Sequence, residues 1–206
     1  MRDLMLEQFL DFLEERHGSR TIHSVLDELG DMAGSASGSS RPGLGERGQQ
    51  LRTAADFASM ILRTGRPSLL RQFGGWLIDR HACGWMAEIH VGNDLSTLAR
   101  RLASAVNEVI AATDAVRLGD SNPQAKKVML VYRDEVGWAD IVQGAMCTWL
   151  RIHAPDHGIT GEDLSLVSGT HVHFCLSGPR GSSPEAGNGW QPPLPPDPDG
   201  RPGNLG

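Results

Sequence analysis

The chain has 206 residues, 39% hydrophobic and 21% charged, which is enough for one globular domain with a sizeable core. Its net charge of −6 argues against nucleic acid as a partner, because a phosphate-binding face needs clustered Lys and Arg. No apolar run approaches the roughly 18 residues that span a bilayer, the opening is unlike a signal peptide, and three scattered cysteines do not form a disulfide framework, so a reducing cytoplasm is expected.

Residues 2–17 carry Leu4, Met5, Phe9, Leu10, Phe12 and Leu13 against Asp3, Glu7, Asp11, Glu14 and Glu15, a helical period that Gly18 ends. Ile22, Val25, Leu26 and Leu29 give a second stripe. Residues 31–48, rich in Gly and Ser, read as a flexible loop. Helix is expected again over Gln49–Thr64 and Leu69–His81, with Pro67 near a first turn where its missing N–H is not needed. Residues 82–92 read as irregular, and Leu95–Arg117 as the longest helix, with Asp94 placed to cap it. Val128–Arg133 reads as a strand, Gly137–His153 as a helix stopped by Pro155, and Asp163–Ser168 with Thr170–Ser177 as a hairpin around Gly169. From residue 178 to 206 Gly, Pro, Ser and Asp dominate, which predicts a disordered tail after a domain over residues 1–177.

This order of elements resembles the heme nitric oxide/oxygen-binding (H-NOX) family. The opening Met1–Gly18 is similar to that family's first helix, and Leu69–Leu77 to its central helix. Val106–Ile110, with Pro123 after it, sits where the family has its proximal helix. Leu130–Gly144 resembles the strand and helix that follow, and Gly169–Leu176 the last strand. The resemblance implies an α+β fold: a helical N-terminal part, then a proximal part with a long helix and a small antiparallel sheet. It also implies a non-enzymatic sensor that binds heme and acts on a signalling partner, a histidine kinase or a cyclic-dinucleotide enzyme.

In that family a His ligates the iron and a Tyr-x-Ser-x-Arg motif grips the propionates. The His position matches Asn107, or Ile110 or Ala111 one turn later, and none of these is a usual axial ligand. The motif retains Tyr132, but Asp134 stands at the Ser position and Val136 at the Arg position. Strand alternation would place 132, 134 and 136 on one side, with Asp134 repelling the propionates. A degenerate heme site is therefore the leading expectation. The alternatives are heme with unusual ligation, for which His81, Cys83, Met86 and His90 are the donors at hand, and a zinc- and thiol-based redox sensor.

The zinc reading rests on His171, His173 and Cys175, which share one strand face, with His157 or His153 as a fourth donor. Alternating polar residues on an outer strand need no metal. No Walker loop, dinucleotide fingerprint or nucleophile elbow is present, so catalysis is not expected.

Overall fold

The computed structural model describes residues 4–35, 44–81, 94–110, 115–122, 127–165 and 169–178. In chain order the elements are α1 (Leu4–His17), α2 (Ser19–Ser35), α3 (Leu44–Ile61), α4 (Arg66–His81), α5 (Leu95–Val109), β1 (Val116–Asn122), β2 (Lys127–Arg133), α6 (Ala139–His153), β3 (Gly158–Asp163) and β4 (His171–Ser177). The four strands form one antiparallel sheet in the order β1-β2-β4-β3. This is the expected α+β arrangement.

The helical periodicity of the first helix is realised: Met5, Phe9, Phe12 and Leu13 of α1 are buried. Phe9 meets Phe73 of α4 edge-on with centroids 5.2 Å apart, and Phe12 lies 5.9 Å from Trp76. Burying an indole leaves its N–H to be satisfied. Trp76 Nε1 donates to the Glu15 carboxylate at 3.0 Å, so this pair ties α1 to α4. Between α1 and α2, Gly18 takes φ +84°, a left-handed turn that closes the first helix while its N–H bonds the Glu14 carbonyl at 2.9 Å.

Helices α4 and α6 approach until their backbones touch. A Cβ added to Gly74 would stand 2.0 Å from the Ile141 carbonyl oxygen, and one on Gly144 would stand 2.0 Å from that of Arg71. Only hydrogen at Cα permits this crossing. Arg71 and Asp140 then pair across it at 2.9 Å.

On the sheet, Val128, Leu130 and Tyr132 of β2 alternate inward with Val172, Phe174 and Leu176 of β4. All six are buried in the core that the helices cover.

Three expected boundaries and one expected alternation are corrected. The segment 31–48 is not wholly loop: α2 runs to Ser35 and α3 starts at Leu44. The helix expected to reach Arg117 ends at Val109, and residues from Val116 form a strand instead. Helical periodicity there is overridden because pairing with β2, Val116 opposite Tyr132 and Leu118 opposite Leu130, satisfies the backbone in extended form. The third strand is Gly158–Asp163 rather than Asp163–Ser168; Gly161 pairs with Phe174, and a Cβ there would come within 2.9 Å of the ring. Strand β2 stops at Arg133, and 134–138 form a turn, so the alternation expected through Val136 ends early. The irregular segment 82–92 and the tail from 179 onward lie outside the described residues.

Candidate functional site

Helix α5 starts at Asp94, whose carboxylate accepts from the N–H groups of Ser96 and Thr97 at 3.2 and 3.0 Å. A bond from the Thr97 hydroxyl first, and then these two, hold the Asp94 carboxyl below its ordinary range. The helix buries Leu98, Ala99, Leu102, Ala103, Ala105, Val106 and Val109 and leaves Asn107 half-buried on its flank, facing the edge of the sheet.

There Asn107 forms a two-bond clasp. Its Nδ2 donates to the Val116 carbonyl at 2.8 Å, and its Oδ1 accepts from the Val116 N–H at 2.9 Å. Strand β1 is an edge strand, so these outward groups of Val116 have no neighbouring strand to bond. The Asn107 amide supplies the missing partner in the donor–acceptor pattern of a strand. Val116 is 2% exposed, so water is a poor substitute.

Val116 stands opposite Tyr132 on β2. Tyr132 is fully buried, and its hydroxyl accepts from the Trp138 N–H at 2.8 Å at the start of α6. Burial, with the nearby Asp134 carboxylate adding to it, pushes the phenol well above its ordinary range, so it is neutral at any physiological pH. Tyr132→Phe is expected to keep the ring packing and lose the hydroxyl bond, leaving the Trp138 N–H unpaired. The expected loss is about 1–2 kcal/mol, read as a lower urea midpoint with an unchanged slope.

The following turn is held by its own members. Asp134 Oδ1 accepts from the Val136 N–H at 2.8 Å, and the Asp134 N–H donates to the Thr170 carbonyl at 3.1 Å. The Val136 carbonyl accepts from the Arg52 guanidinium of α3. The Val136 side chain fills the space over Gly48, where a Cβ would come within 2.1 Å of its Cγ1. Gly48 and Arg52 carry no sequence signal that points to this turn, because their shared partner, Val136, lies far along the chain on the other side of α4 and α5.

Of the expected heme-site residues, Asn107 and Tyr132 thus come together through Val116, while Asp134 and Val136 turn into the loop beside α3. Ile110 is buried at the end of α5, where its N–H bonds the Val106 carbonyl at 3.0 Å. Ala111 and Pro123 lie outside the described residues, as do Cys83, Met86 and His90. His81 is exposed at the end of α4.

An axially ligated heme needs a donor to the iron and donors to two propionates. Both amide atoms of Asn107 are committed to Val116, Ile110 offers only hydrocarbon, and Asp134 offers a carboxylate, bonded to the Val136 N–H, rather than a donor for the propionates. These residues do not fit such a heme.

The zinc expectation is corrected too: among the described residues no group of three or more His, Cys, Asp or Glu is placed to hold a metal ion. The geometry explains this. His157 precedes Gly158, which pairs with Ser177, at the opposite end of β4 from His171 and thus roughly 20 Å away at about 3.3 Å per residue. Cys175 lies two alternations along β4 from His171, roughly 13 Å on the same scale, which is too far for one ion. Only His171 and His173 meet, with their Nε2 atoms 3.2 Å apart.

No family model matches the sequence, and no curated protein does. Solved structures do match the fold. An Fe(II) unliganded H-NOX protein from K. algicida is 15% identical with a TM-score of 0.58, covering 89% of this chain and 99% of that one. An H-NOX protein from S. oneidensis in the Fe(II)NO ligation state is 13% identical at a TM-score of 0.55, covering 86% and 98%. A point mutant of T. Tengcongensis H-NOX is 11% identical at a TM-score of 0.56, covering 86% and 97%. The chain has the H-NOX fold.

Proposed function

We propose that this chain, with its H-NOX fold, is a non-enzymatic regulatory domain whose heme site has degenerated. It acts in trans on a signalling partner, a histidine kinase or a cyclic-dinucleotide enzyme, and it works in the cytoplasm. The fold supports the sensor kind, since the solved structures that share it include Fe(II) and Fe(II)NO states of H-NOX proteins. The observation that carries the heme-free reading is the Asn107 clasp: the helix position assigned to the iron donor is spent on fastening α5 to β1. Among the described residues no helix is long and apolar enough to cross a membrane.

The test is an absorption spectrum of the full chain produced with ample heme precursor, followed by titration with hemin. The expected result is a folded, colourless protein, with added hemin retaining the spectrum of free or loosely adsorbed heme. A sharp Soret band at one heme per chain that shifts with nitric oxide would overturn the reading and restore a gas sensor with unusual ligation. Metal analysis of the same sample is expected to find less than a stoichiometric amount of zinc.

A further inference from the structure

Paired residues in an antiparallel ladder share a face, so Arg133 and His171, Val131 and His173, and Met129 and Cys175 all project from the side of the sheet opposite the core. None of these six side chains is buried. At one end of this face three nitrogen groups are in contact. Arg133 Nε donates to His171 Nε2 at 3.2 Å, and His171 Nε2 lies 3.2 Å from His173 Nε2. Because His171 Nε2 accepts from the guanidinium, it carries no proton, and His173 must supply the proton between the rings. The arrangement therefore holds only while His171 is neutral.

We propose that this face, centred on Arg133, His171 and His173, docks a carboxylate-bearing segment of a partner protein, and that docking is coupled to proton uptake by His171. The inference rests on the proposed regulatory reading in needing a protein partner. Charge complementarity carries it. Among the described residues Arg133 pairs with no carboxylate, in a chain whose net charge is −6. A guanidinium fork matches a carboxylate, and each ring nitrogen that gains a proton adds a donor to the same anion. Met129 and Val131 continue the face as half-buried apolar positions, so an acidic segment interleaved with apolar residues fits it.

The charges that face the pair are few. Arg117 of β1 shares a cross-strand row with Val131 and His173, and Glu162 of β3 is the register partner of His173. The Asp163 carboxylate is occupied by the N–H groups of Ser165 and Gly169 at 3.0 and 2.9 Å. In the free protein His171 titrates below its ordinary value, through desolvation first and then the nearby Arg133 and His173 charges, with the Asp163 carboxylate opposing them. A bound carboxylate reverses that balance and raises His171. The sign follows: binding is strongest below the free-state value of His171 and weakens as pH rises through its bound-state value.

The probe is a capped, fluorescent peptide alternating Glu and Leu, titrated by anisotropy into the full chain at pH 5.5 and pH 8. Its Lys/Leu counterpart serves as the control. Binding is expected to weaken about tenfold from the lower to the higher pH for each unit by which docking raises the proton affinity of His171. Arg133→Gln should remove binding at both pH values, and the double variant His171→Gln/His173→Gln should keep weak binding but lose the pH dependence. Circular dichroism confirms that these surface variants are folded. No binding at pH 5.5, or an unchanged pH dependence in the double variant, would overturn the proposal. So would acid-dependent self-association that Arg133→Gln abolishes, which would make the occupant a second copy. Heme plays no part in the titration, so its failure leaves the spectroscopic test of the heme-free reading standing.

Discussion

Gly144→Ala is expected to be among the most damaging single substitutions in the chain. The added methyl would stand 2.0 Å from the Arg71 carbonyl oxygen and 2.6 Å from its Cα. These are backbone atoms of a neighbouring helix, so no rotamer change relieves the clash, and α4 and α6 must separate. The buried α4 face that includes Leu70, Phe73, Trp76 and Leu77 would then lose its close fit. Overpacking of this kind costs about 3 kcal/mol or more, against a gain of at most about 1 kcal/mol from replacing glycine in a helix. In a domain of this size that loss lowers Tm by roughly 6–12 °C. Gly74→Ala, on the opposite helix, should behave alike, since its Cβ would meet the Ile141 carbonyl oxygen at 2.0 Å. Gly30→Ala is the control: it lies in α2 with nothing within 4 Å of the added Cβ, and it is expected to leave Tm unchanged or raise it. A Gly144→Ala protein as stable as the parent would refute the backbone contact between α4 and α6.

Asn107→Ala is expected to have the second-largest effect. It removes both bonds to Val116 and leaves a buried N–H and carbonyl on an edge strand without partners. Each orphaned group costs about 1–3 kcal/mol, and partial access of water at this half-buried flank brings the expected total to about 2–4 kcal/mol. The loss should be local at first. In hydrogen exchange the Val116 amide and the β1–β2 ladder should lose protection before β4 does. Asn107→Asp separates the two bonds, because it keeps an acceptor for the Val116 N–H but sets a second carboxylate oxygen against the Val116 carbonyl. That repulsion favours the protonated acid in the folded state. The variant should therefore regain stability relative to the parent as pH falls through the folded carboxyl's raised pKa. Full stability of Asn107→Ala, with β1 still protected, would show that the clasp does not hold the strand.

The heme-site reading is the place where sequence and structure divide most clearly. The residue types were legible without coordinates: Asn107 is no iron donor, and Asp134 and Val136 depart from a propionate clamp. What those residues do instead was not legible. Asn107 serves a strand that starts beyond the end of its own helix, and the direction of its amide depends on where that strand lies. Asp134 and Val136 belong to a turn because β2 ends at Arg133. Their partners are the Thr170 carbonyl in one case and Arg52 and Gly48 of α3 in the other. The pair Gly74-Gly75 inside an apolar helix was a readable hint of a close approach, but only the crossing with Gly144 says what is approached.

By itself the sequence determined the helices α1, α4 and α6, the strands β2 and β4, the α+β class and the resemblance to H-NOX proteins. The helices and strands follow from local periodicity: apolar residues recur with the pitch of a helix or the alternation of a strand, and burying that face decides the conformation; the α+β class is what the resemblance, carried by the order of these elements, implied. The tertiary structure alone decided the switch from helix to strand between Val109 and Val116, the placing of β3 at Gly158–Asp163, and the separation of His157 from His171. Each of these is set by backbone pairing with a distant strand, which satisfies N–H and carbonyl groups whatever the local propensity. The meeting of Arg133, His171 and His173 falls between the two. Alternation put His171 and His173 on one face, but the register of β2 against β4 was needed to bring Arg133 beside them.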